Sequence, residues 1–116
     1  MQKFNSIDDL VSNIQPVDPV YCIRPNSIKI ACKWFKSNFP GQILYAVKTN
    51  PNEKVIKYIG ENNINQFDVA SINEIKLIKK IFPKAKAYYM NTIKSREHVK
   101  EAYFNYNIKN FALDTK

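Results

Sequence analysis

Short apolar blocks recur along the chain, separated by stretches whose apolar residues have helical spacing. Ile43, Phe67, Ala87 and Phe111 mark four such blocks, 24, 20 and 24 residues apart. In the block Ile43 to Val47 no polar residue alternates with the apolar ones, which suits a parallel strand covered on both faces. It ends on Lys48. Asn50 is placed to cap a following helix, with Pro51 at its first position and Glu53 three residues after the cap. That helix would turn Val55, Ile56 and Ile59 inward. Phe67 to Ala70 predicts the next strand. Ser71 and Glu74 then form a second capping box, opening a helix with Ile75, Ile78 and Phe82 on one face and Pro83 at its end. Ala85 to Met90 reads as a third strand. Ser95 caps a helix with Val99, Ala102, Tyr103 and Tyr106 inward, and Phe111 to Leu113 is the last strand.

The lead-in is less regular. Ser6 can cap a helix through about Ile14, with Asp8 and Asp9 in its first turn. Pro16 and Pro19 end it, and Val20 to Ile23 reads as a short strand. A helix from about Ser27 to Asn38 follows, its stripe formed by Ile28, Ala31, Cys32, Phe35 and Phe39. The whole pattern is α/β, with the rhythm of a (β/α) barrel or a doubly wound sheet. A closed eight-stranded barrel takes roughly 250 residues. These 116 residues supply four barrel-type strands, about half of one. Residues 1–18 would be a helix and lead-in and residues 19–116 the half-barrel. An unpaired edge and an uncovered apolar face are expected after the last strand. Both architectures build their sites at the carboxyl ends of strands, so Lys48 is the position to explain.

Composition narrows the partners. The net charge of +8 would normally raise nucleic acid, but 16 of the 18 basic residues are lysine. Only Arg24 and Arg96 carry the planar fork suited to phosphate and guanine. Abundant lysine, asparagine and isoleucine fit codon drift in an AT-rich genome, and a nucleic-acid-binding module ranks last among the readings. Cys22 and Cys32 stand ten apart with no C-x-x-C and no paired histidines, so two buried thiols in a reducing compartment are expected and a metal site has no support. No apolar run has membrane-spanning length, and Asp8 and Asp9 argue against a transit peptide. A cytoplasmic location is expected.

Lys48 is the sharp chemical candidate. A lysine near the top of a buried strand can lose its proton by desolvation and attack a carbonyl. Asp68, inside an otherwise apolar strand, could orient it. Ser71 and Glu74 are accounted for as a helix cap, His98 as a solvated side chain, and Tyr88, Tyr89, Tyr103 and Tyr106 as packing. Gly41 and Gly60 are the only glycines, too few for a phosphate cradle.

Several blocks in order are familiar. Tyr45-Ala46-Val47-Lys48-Thr49-Asn50-Pro51 resembles the Y-A-V-K-x-N-P signature of the pyridoxal-phosphate-dependent ornithine/diaminopimelate/arginine decarboxylases, whose barrel is like that of alanine racemase. Phe67-Asp68-Val69-Ala70-Ser71 with Glu74-Ile75 resembles that family's F-D-x-A-S-x-x-E-[IL]. Pro19 to Ile23, Phe39-Pro40-Gly41 and Asn91-Thr92-Ile93-Lys94 are similar to further family segments, so the resemblance runs from about residue 19 to residue 114. Within the family the chain is most similar to bacterial ornithine decarboxylases. Asn50-Pro51-Asn52 departs from the alanine racemases.

The resemblance implies a partial (β/α) barrel of the pyridoxal-phosphate-binding type. It implies that Lys48 holds pyridoxal 5'-phosphate covalently, and that Ala46, Asp68, Ser71 and Glu74 line the cofactor site. The substrate would be a basic amino acid of the ornithine type, in polyamine biosynthesis, with the cofactor as sink for the electrons freed when CO2 leaves. It also implies a homodimer, and site groups in later strands and a C-terminal β domain that are absent from these residues. The chain is therefore expected to be inactive alone and to need a C-terminal half that could be encoded separately. The alternative is a non-catalytic gene remnant or binding-only fragment.

Overall fold

Side chains along the strands divide between a sealed face and an open one. The computed structural model describes residues 2–114. Among them, β1 (Tyr45–Ala46), β2 (Gln66–Val69) and β3 (Lys86–Tyr89) form a parallel sheet in the order β1-β2-β3. Ala46 pairs with Asp68 and Asp68 with Tyr88; one position earlier, Tyr45 pairs with Phe67 and Phe67 with Ala87. Parallel neighbours require crossovers, which α3 (Glu53–Glu61) and α4 (Ile72–Ile81) provide. The helix α5 (Arg96–Tyr106) follows β3, and α1 (Ile7–Ile14) and α2 (Pro25–Asn38) precede the sheet. A single parallel bridge from Tyr89 to Phe111 is all that forms of the expected last strand. Strands laid down in chain order with a helix after each make a partial (β/α) barrel, as expected.

The core lies between one sheet face and the helices. Phe67, Val69, Ala87 and Tyr89 are buried there against Ile56, Ile75, Ile78, Ala102 and Ile108. The other face carries Gln66, Asp68, Lys86 and Tyr88, none of them buried. Strands covered on both faces, as Ile43 to Val47 suggests, are therefore not what forms. Nor is the open face apolar: Gln42, Gln66 and Tyr88 join there by hydrogen bonds, Tyr88 Oη donating to Gln66 Oε1 at 2.8 Å. The exposed large apolar groups lie elsewhere, on helices and loops, among them Trp34, Phe35, Phe39 and Phe104. The radius of gyration, 17.2 Å, exceeds the ~13 Å of a compact chain of this length.

Helix starts follow the polar signals. Ser6, Ser71 and Ser95 each accept a hydrogen bond from the backbone N–H three residues on, as N-caps do. The α3 start differs from expectation. Pro51 biases Asn50 toward extended backbone (φ −158°, ψ 97°), and the cap passes to Asn52, whose Oδ1 accepts from Lys54 N–H at 3.0 Å. Glu53 turns away to the Lys80 ammonium of α4, 2.6 Å distant.

Other expectations fail for want of a partner. Val20 to Ile23 forms no strand, because extended backbone becomes a strand only where a neighbour completes its hydrogen bonds. Cys22 lies in this segment and is exposed, whereas Cys32 is buried. In α2 only Cys32 is buried, so Ala31, Phe35 and Phe39 do not form an inward stripe. Tyr103 of α5 is exposed too, its ring lying beneath the Lys109 ammonium.

Gly60 closes the packing of α3 on the core. A Cβ there would come within 2.3 Å of the Phe82 ring, which stacks on Phe67 with centroids 6.1 Å apart. Alanine would gain about 1 kcal/mol of helix propensity, but overpacking costs about 1–3 kcal/mol. Gly60→Ala is expected to lower the urea midpoint of the chain. A raised midpoint would show that Phe82 yields freely.

Candidate active site

The tops of β1 and β2 carry the residues singled out from the sequence. β1 stops at Ala46, and Val47–Thr49 wind into a 3-10 turn that packs on β2. Lys48 is thus two residues past a strand end and not within it, and β1 is an outer strand of the described sheet. Val47 is fully buried beneath the turn while Lys48 is exposed. The desolvation expected for its amine is therefore not provided by the described residues.

Asp68 and Ala46 are register partners in neighbouring parallel strands, so their side chains leave the sheet on the same, open face. Both are half-buried. Among the described residues, neither the Lys48 ammonium nor the Asp68 carboxylate has a hydrogen-bond or ion-pair partner. The two remain available for chemistry.

Ser71 and Glu74 are each engaged with a backbone N–H. Ser71 Oγ accepts from Glu74 N–H at 3.2 Å, and Glu74 Oε2 accepts from Ala70 N–H at 2.8 Å. In the usual capping box the acid returns to the cap residue itself; here it reaches one residue further back. No hydrogen bond joins either residue to Lys48. Tyr89, whose hydroxyl is pushed up by burial and then by the charge of Glu74, borders the same region.

Two sets of groups escaped the sequence reading. Lys94 Nζ donates to the carbonyls of Asn91, Thr92 and Ala112, the last at 2.6 Å, and lies 5.5 Å from the centre of the Tyr89 ring. It ties the loop after β3 to the chain beyond Phe111. A lysine at a loop end gives no signal of such a role. Tyr21 and Tyr45 are each bonded to Asn50 beside the Lys48 turn, across 29 and 5 positions of sequence.

A family model described as pyridoxal-dependent decarboxylase, pyridoxal binding domain, matches residues 25–116. The chain belongs to this family. The matched region is its pyridoxal-phosphate-binding domain, and the family is one of pyridoxal-dependent decarboxylases. Among solved structures the chain is similar to the arginine decarboxylase of Paramecium bursaria Chlorella virus bound to agmatine, with TM-score 0.84 and 23% identity over 94% of this chain and 30% of that one. It is similar to ornithine decarboxylase from Entamoeba histolytica, with TM-score 0.69 and 29% identity over 78% of this chain and 27% of that one. Lysine decarboxylase from Selenomonas ruminantium gives TM-score 0.80 and 20% identity over 96% of this chain and 29% of that one. At such identities the viral and Selenomonas structures show the fold alone. The chain spans under a third of the length of each. No curated sequence matches it.

The residues present fit one end of the cofactor. An accessible primary amine suits its aldehyde, with a carboxylate, Asp68, on the neighbouring strand and a small side chain, Ala46, opposite it in register. For the phosphate, the glycines are misplaced: Gly41 precedes β1 and Gly60 lies in α3. The cap itself is open to test. Ser71→Ala is expected to cost about 1 kcal/mol in urea denaturation, and Ser71→Asp to recover most of it. Equal stability in all three proteins would free Ser71 from the capping role.

Proposed function

We propose that residues 19–116 form the N-terminal half of the cofactor barrel of an ornithine-type decarboxylase and that Lys48 is its cofactor lysine. The observation that carries this is the family match over residues 25–116, with Lys48 just past the carboxyl end of β1. The identity to the Entamoeba ornithine decarboxylase, 29% against 26% for a second structure of the viral arginine enzyme, each over 78% of this chain, supports ornithine as the first substrate to try.

In this reading Lys48 Nζ is the covalent attachment point. The amine must be neutral to attack, and Asp68, on the face shared with Ala46, holds or takes the proton that Nζ sheds. Ala46 leaves room beside the strand end. Ser71 and Glu74, each holding a backbone N–H, keep the top of β2 rigid and line the cofactor site. The cofactor, when bound, supplies the electron sink for loss of CO2.

The open polar face and the single bridge at Phe111 support a site finished by further strands, from the same polypeptide or a separate chain. The family resemblance supports a dimer. The exposed Trp34, Phe35 and Phe104 support a second reading, a non-catalytic chain of low stability.

The 116-residue chain alone is expected to release no CO2 from ornithine, lysine or arginine. Supplied with the remaining strands and β domain of a family member, it is expected to release CO2 fastest from ornithine. Lys48→Ala should abolish that, and Asp68→Asn should slow it about 100-fold or more. Undiminished activity in Lys48→Ala would exclude the proposed role.

A further inference from the structure

We infer that Tyr21, Tyr45, Thr49 and Asn50 are positioning residues for the Lys48 amine, an inference that rests on the cofactor role proposed for Lys48. A single 3-10 turn closes poor hydrogen bonds over few residues and holds its shape weakly by itself. Val47–Thr49 is braced from several sides. Asn50 N–H returns to the Val47 carbonyl at 3.2 Å. The Thr49 hydroxyl donates to the Ala46 carbonyl at 2.7 Å, tying the turn to the last residue of β1. The Tyr45 hydroxyl passes beneath the turn to the Asn50 carbonyl at 3.1 Å. Both ends of the Asn50 side chain are used: Oδ1 accepts from Asn52 N–H at 3.1 Å, and Nδ2 donates to the Tyr21 hydroxyl.

Lys48 sits in the middle of this network, and its side chain takes no part. Its Cα is fixed from both directions while its amine is left free. That is the arrangement a lysine needs to bring Nζ to one carbonyl carbon along one approach. Starting α3 explains only part of the network. The Asn50 Oδ1 bond and the Asn52 cap serve the helix, which begins at Glu53. The Tyr45 and Thr49 hydroxyls bond to carbonyls at positions 50 and 46, both outside it.

The test uses the full chain and substoichiometric pyridoxal 5'-phosphate. The amine adds to the aldehyde carbon with loss of water, and borohydride then delivers the hydride that makes the C–N bond permanent. Peptide mass mapping reads the share of label on each of the 16 lysines. In the unaltered chain the largest share is expected on Lys48. Tyr45→Phe and Thr49→Val, which remove the bonding hydroxyls at nearly constant shape, should each lower that share about 3- to 10-fold. The other lysines should divide the displaced label in their original proportions, the circular dichroism should be unchanged, and Thr49→Ser should restore the Lys48 share. An unchanged Lys48 share in both variants, or a fall accompanied by altered proportions among the other lysines, overturns the positioning inference and leaves the cofactor role standing. No preference for Lys48 in the unaltered chain overturns the cofactor role and the inference together.

Discussion

A sheet sealed on one side only governs this structure. Phe67 and Val69 of β2 have no exposed surface, and Ala87 and Tyr89 of β3 have almost none. Phe67 and Val69 contribute about 1.5–3 kcal/mol each by leaving water, so the register cannot slip by one residue without losing most of the core. That constraint also fixes the site. With Phe67 and Val69 committed to the helices, Asp68 must leave by the other face, and its partners Ala46 and Tyr88 leave with it. Core and site are the two halves of a single alternation.

Much of the fold was legible in the sequence because its signals are local. A serine that satisfies an orphan N–H three residues on announces a helix wherever it stands, and Ser6, Ser71 and Ser95 all do so. The apolar spacing of Val55, Ile56 and Ile59, and of Ile75 and Ile78, likewise names the buried face correctly. Strands are different, because they exist through their neighbours. Val20 to Ile23 has strand composition and no partner, while Gln66, a residue that pattern reading leaves out, belongs to β2 because Lys86 pairs with it. The alternation of Gln66-Phe67-Asp68-Val69 was in the sequence all along. The unbroken apolar run before Lys48 carries the opposite signal, strands covered on both faces.

The site was legible in part for the same reason. Lys48, Asp68 and the Ser71–Glu74 pair lie in short blocks whose spacing carries meaning. The bracing of the Lys48 turn does not. Tyr21 and Tyr45 read from sequence as strand residues, since a ring that packs and a hydroxyl that bonds are the same letter. The bond from Asn50 to Tyr21 spans 29 residues. The choice between Asn50 and Asn52 as cap was also beyond local pattern, because both can accept from a following N–H and only the backbone bias before Pro51 separates them.

The open face ties the chemistry to the rest of the barrel. A lysine amine attacks a carbonyl only when neutral, and two influences on it act in opposite directions. Burial favours the neutral amine, whereas a nearby carboxylate favours the charged one. In the described residues Lys48 is exposed and Asp68 half-buried. Strands laid over this face would exclude water from both groups at once, and the cost of two buried charges would then favour passing one proton between them. On the proposed reading, closure of the barrel would thus strengthen a nucleophile and a proton acceptor that the Lys48 turn and β2 already hold in place. Asp68 could not be moved to the sealed face to shelter it sooner, because an unpaired carboxylate among Phe67, Val69 and Tyr89 would cost more than that face can supply.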